Sequence, residues 1–140
     1  MKITLDRVDD AFHLEGKGMS PVVVHLDAAE EIGGKNAGSR PMELLLMGLG
    51  GCTSIDVILV LKKQRQELRD LKIEVTGERE QIEGTEMKPF RKIKIHYKFY
   101  GPLDPAKVER AIELSMDKYC SATAQLRPSA EITHSYEILP

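Results

Sequence analysis

Apolar and polar positions divide this chain into segments of different period. Val22-Val23-Val24-His25-Leu26 is an apolar run of strand length behind Pro21, and with the shorter β-rich stretches before it predicts two or three N-terminal strands in a meander. From Asp27 to Arg40 the periodicity disappears; Gly33-Gly34-Lys35-Asn36-Ala37-Gly38-Ser39 is built of turn formers, which predicts a loop free to move. Pro41 opens a segment to about Leu68 in which Leu44, Leu45, Leu46, Met47, Leu49, Ile55, Val57, Ile58, Leu59, Val60 and Leu61 fall on every side of a helical projection. A helix apolar all round is a buried helix. Gly48, Gly50, Gly51, Thr53, Ser54 and Asp56 interrupt it too often for a membrane span.

Period two follows. Leu71, Ile73 and Val75, then Ile93, Ile95, Tyr97 and Phe99, alternate with charged or polar residues and predict two half-buried strands joined by a hairpin loop over 81–89. Asp104-Pro105 starts a second helix, with Asp104 as its cap and Pro105 in the first turn, where a missing N–H costs nothing. Val108, Ala111, Ile112, Ser115 and Tyr119 share one face of that helix, which ends at Cys120. A last strand over 130–138 places Ile132, His134, Tyr136 and Ile138 on one side. The order is strands, long helix, two strands, helix, strand, an α+β arrangement over 1–140 as one domain. The long helix needs apolar partners all round, which predicts a homodimer whose central helices meet at the interface.

The chain has 140 residues, enough to bury roughly two-thirds of the surface its unfolded form exposes. Twenty basic against 22 acidic residues give a net charge of −2, which argues against nucleic acid as a partner. The first residues lack the basic and apolar stretches of a secretory signal, so the expected location is cytoplasmic, with no membrane partner. Only two cysteines occur, Cys52 behind Gly50-Gly51 and Cys120. In a reducing compartment a bond between them would be transient and catalytic rather than a staple. Free cysteine is also among the most buried residue types, so inert packing is the competing account. No CxxC pair suggests zinc, and His13, His25, His96 and His134 lie on separate elements, so neither a metal nor a cofactor is expected.

The segment Pro41-Met42-Glu43-Leu44-Leu45-Leu46-Met47-Gly48-Leu49-Gly50-Gly51-Cys52, together with Lys118-Tyr119-Cys120-Ser121 ahead of a closing strand, resembles the OsmC/Ohr family of thiol peroxidases. Within that family it is closest to a less characterised branch. The resemblance implies an intertwined α+β homodimer with sites at the subunit interface, reducing hydroperoxides through a cysteine pair. Family peroxidases carry a glutamate directly after the motif proline, where this chain has Met42 with Glu43 next; on a helix that step turns a side chain by about 100°. They also carry a loop arginine where this chain reads Ala29-Glu30-Glu31-Ile32, and the nearest arginine is Arg40.

On this reading Cys52 attacks the peroxide as thiolate, becomes a sulfenic acid and condenses with Cys120 to a disulfide that an external dithiol reduces. An ordinary thiol, with pKa about 8.5, needs a cation to supply that thiolate at neutral pH. Arg40 is the first choice, with Glu43 holding its guanidinium in a bidentate pair; Arg65, Arg127 or a residue of a second subunit are substitutes. Leu45, Met47 and Leu49 would wall the pocket, which favours an organic hydroperoxide over hydrogen peroxide. Two other readings stay open: a non-catalytic dimer that binds an apolar small molecule beside Cys52, and a thiol redox sensor without turnover.

Overall fold

The N-terminal β-formers pair as an antiparallel meander in the computed structural model, which describes residues 1–140: β1 (Thr4–Arg7), β2 (Leu14–Lys17) and β3 (Val24–Leu26). The apolar run from Val22 is longer than the strand, because β2 offers partners only to Val24, His25 and Leu26. The segment after it is no open loop. Asp27, buried, accepts hydrogen bonds from the backbone N–H groups of Ala28 (2.8 Å), Lys35 (3.0 Å) and Ala37 (3.0 Å), and Glu30–Ile32 form a single 3-10 turn between them. One carboxylate thus replaces the absent apolar pattern as the organiser of residues 27–37. These elements, with the first turn of the following helix, make up one packed unit, Met1–Leu45; the remainder, Leu46–Pro140, forms a second.

Helix α1 (Pro41–Lys63) stops five residues short of the expected Leu68. The polar tail Gln64-Arg65-Gln66 wraps into a Schellman motif instead: Gln66 N–H donates to Leu61 O (2.9 Å) and Arg65 N–H to Lys62 O (3.0 Å), with Arg65 in the left-handed region at φ 56°. By length and composition α1 is apolar enough to cross a bilayer, yet Leu49, Thr53, Val57, Val60 and Leu61 are packed inside the protein.

In the second unit β4 (Asp70–Arg79), β5 (Phe90–Tyr100) and β6 (Glu131–Leu139) form a sheet in the order β4-β5-β6. β4 and β5 are an antiparallel hairpin, whereas β6 runs parallel to β5 and so requires a crossover. That crossover is helical: α2 (Pro105–Leu114), a π turn (Ser115–Tyr119) and α3 (Ser121–Leu126), the last not foreseen from sequence. Asp104 caps α2 by accepting from Ala106 N–H at 3.0 Å, as its place before Pro105 predicts. The alternating side chains Ile93, Ile95, Tyr97 and Phe99 of β5 are all buried. α1 lies against β4 at Gly50, where a Cβ would stand 3.1 Å from Val75 Cγ2. Gly50 therefore permits helix-on-sheet packing.

The other face of the central helix is uncovered within a single chain. Met47 (54 % exposed), Ile55 (61 %), Ile58 and Leu59 (51 %) have no cover within the chain, and a Cβ at Gly48 or Gly51 would meet nothing within 4 Å. A single sheet covers one side of a helix only.

Candidate redox site

Cys52 lies on the α1 flank between the packed and the uncovered faces and is half-buried, while Cys120 is 4 % exposed. Remote in sequence, the two meet in space: the sulfurs of Cys52 and Cys120 and a carboxylate oxygen of Asp56 all lie within 4.8 Å of one another. Asp56 stands one helical turn beyond Cys52 and so projects from the same side of α1. Both thiols are free.

The π turn is what brings Cys120 in. In an uninterrupted α-helix Tyr119 would follow Ser115 on the inner face, as its spacing suggests. Here Cys120 N–H donates to Ser115 O at 2.8 Å, five residues back, so Cys120 takes the inner position and Tyr119 is turned out, 53 % exposed. The wider turn leaves Met116 O without the N–H that an α-helix would supply. Arg127 fills the gap, donating from Nη2 at 3.0 Å. It also lies 4.0 Å from Asp117. Arg127 and Cys120 line a cavity of about 160 Å³ together with Met116, Tyr119, Ser121 and Ala124; Cys52 is not in its wall.

Cys120 also begins α3, and its sulfur accepts the Thr123 N–H at 3.3 Å. Burial pushes the Cys120 thiol up from its ordinary value; the Thr123 contacts oppose this and the neighbouring Cys52 adds to it. Of the two sulfurs, the more open Cys52 is the better placed to meet a solute. Behind them runs a buried chain of hydroxyls. Ser115 donates to Asp56 Oδ2 (2.9 Å), Thr53 Oγ1 is 2.7 Å from Ser115 Oγ, and Tyr97 OH is 2.7 Å from Thr53 Oγ1. An ionised carboxylate only accepts, so protons point along the series Tyr97, Thr53, Ser115, Asp56. Desolvation pushes Tyr97 up to about 12.

The other residues singled out from sequence divide. Glu43 does not clamp the Arg40 guanidinium: Glu43 Oε1 accepts the Arg40 backbone N–H at 2.9 Å, the reciprocal bond of a capping box, while Arg40 Nη1 donates to Gly38 O at 3.1 Å. Three residues into α1, a carboxylate satisfies a free amide more directly than a long side chain. Leu49 is completely buried and has no surface to offer a substrate, whereas Leu45 and Met47 are exposed. Asp56, Ser115, Thr53, Tyr97 and Thr123 were not anticipated. The spacing of Cys52 and Asp56 along α1 carried a signal for Asp56; the π turn that aligns Ser115 with Cys120 left none.

Residues 33–135 match the family model described as OsmC-like protein. The chain is 41 % identical to Protein YhfA of Escherichia coli (strain K12) over 108 residues, covering 74 % of this chain and 78 % of that one. A hypothetical protein from Aquifex aeolicus VF5 superposes with a TM-score of 0.80 at 31 % identity, over 99 % of this chain and 97 % of that one. The organic hydroperoxide resistance protein OhrB of Bacillus subtilis does so with a TM-score of 0.70 at 18 % identity, over 97 % and 96 %.

Proposed function

The chain belongs to the OsmC-like protein family, and from that membership we propose that it is a cysteine-based, thiol-dependent peroxidase acting on organic hydroperoxides in the cytoplasm. The observation that carries the reading is the meeting of two sulfurs from separate elements within 4.8 Å. Inert packing would not require the only two cysteines of the chain to converge. In the first step Cys52 thiolate attacks the distal peroxide oxygen: an S–O bond forms, the O–O bond breaks and the alkoxide leaves as alcohol after taking a proton. In the second, Cys120 displaces hydroxide from the sulfenic acid, giving the Cys52–Cys120 disulfide and water. An external dithiol returns both thiols. A disulfide needs an S–S distance of about 2.05 Å, so a side-chain rotation must close the remaining gap.

Related solved structures include one named an organic hydroperoxide resistance protein, which supports the choice of organic over inorganic peroxide. The exposed apolar residues Leu45 and Met47 are retained as substrate contacts, and Arg40 as a candidate cation. A homodimer, formed by covering the bare face of α1, is part of the same reading. One equivalent of cumene hydroperoxide added to reduced protein should consume both thiols and yield one intramolecular disulfide, with repeated turnover when a dithiol is supplied. Cys52→Ser should abolish both; full activity in that variant, or two thiols unreactive in the folded protein, overturns the assignment.

The sensor alternative draws on Cys120, whose thiol burial pushes up from its ordinary value. Oxidation to the disulfide without turnover in the presence of several dithiols would decide for it.

A further inference from the structure

We propose that the reduced site is also a binding site for a thiophilic divalent cation, Zn2+ first, held by Cys52 Sγ, Cys120 Sγ and a carboxylate oxygen of Asp56. The three donor atoms already lie within 4.8 Å of one another. Around one tetrahedral ion, with Zn–S about 2.3 Å and Zn–O about 2.0–2.2 Å, such atoms stand roughly 3.5 Å apart. Side-chain rotations of about an ångström close the set. Cys52 and Asp56 come from one face of α1, and the π turn delivers Cys120 to them, so three ligands converge without a CxxC motif. Local spacing therefore carries no metal signature.

Each side of the set has its support. Ser115 donates to Asp56 Oδ2 at 2.9 Å, fixing the carboxylate, and Thr123 N–H donates to the Cys120 sulfur at 3.3 Å, which suits a thiolate. Two sulfurs and one carboxylate select zinc over magnesium or calcium, whose ligands are oxygens. On binding, two S–H bonds are lost, their protons pass to solvent, and two S–Zn bonds and one O–Zn bond form, leaving a fourth position for water. No electrons move. The consequence is exclusion: sulfurs bonded to the ion are unavailable to a peroxide, so metal occupancy and oxidation compete for the same pair. The binding itself does not depend on peroxidase turnover.

The test uses reduced full-length protein in oxygen-free buffer, titrated with Co2+ and then Zn2+. Expected are one equivalent bound, a sulfur-to-cobalt charge-transfer band that Zn2+ abolishes, and two protons released per zinc. Asp56→Asn, with an unchanged circular dichroism spectrum, should bind Zn2+ about tenfold more weakly or worse, and protein alkylated at both cysteines should show no charge transfer. Absence of the band in the unmodified protein, or Zn2+ affinity unchanged by alkylation or by Asp56→Asn, overturns the proposal. No peroxide enters this experiment, so its failure is distinct from failure of the disulfide test.

Discussion

Arg127 shows how one side chain can set the register of a site. Its bond to Met116 O compensates the carbonyl released where the helix widens, and the widening turns Cys120 inward. Arg127→Ala should therefore let the turn relax toward α geometry, swinging Cys120 away from Cys52. Stopped-flow oxidation would then show Cys52 sulfenic acid accumulating, with disulfide closure slowed about tenfold or more, since small misplacements of reacting groups carry penalties of that order. Arg40→Ala tests the other cation: a selective loss in the peroxide-dependent step, with closure unchanged, is expected if Arg40 assists the thiolate. Tyr97 has a structural part. Replacing it with Phe leaves the Thr53 and Ser115 pair in place and should cost about 1 kcal/mol in urea denaturation. Because desolvation raises the folded Tyr97 to about 12, its neutral form stabilises the fold fully below pH 10, and that contribution fades as pH climbs through 12.

At the scale of elements, two connections carry more order than their composition suggests. The 27–37 segment depends on Asp27, whose carboxyl is held below its usual range by the Ala37 N–H first; desolvation opposes this, and the N–H groups of Lys35 and Ala28 add to the lowering. A lowered folded value means stability that is present above the ordinary carboxylate range and is lost as pH falls through the folded value. Asp27→Asn should consequently lower the urea midpoint at pH 7, and the gap to the parent protein should shrink below about pH 4. The end of α1 offers the opposite sign. Arg65 occupies a left-handed position at φ 56° that favours glycine, so Arg65→Gly should stabilise by about 0.5 kcal/mol, read as a raised denaturation midpoint.

For the whole molecule, the uncovered apolar face of α1 is the feature a single chain leaves unresolved. Ile55 and Leu59 are more than half exposed beside Gly48 and Gly51, which would let another backbone approach closely. A homodimer built on that face predicts that Ile55→Lys converts the protein to a monomer in sedimentation equilibrium, with secondary structure retained. A parent protein that is monomeric at micromolar concentration would remove the dimer from the functional reading.

Periodicity alone determined the elements that bury one face in a regular way: the alternation of β5, the capped start of α2 and the apolar mass of α1, hence the α+β class. The two cysteines marked the candidate chemistry, because no other residue type in the chain is so sparse and so reactive. Tertiary structure alone decided that the cysteines meet, that Asp56 joins them, that Glu43 caps a helix and that Leu49 is core. The meeting of the cysteines turns on a contact between residues far apart in sequence and on a single widened helical turn, and neither leaves a trace in local spacing.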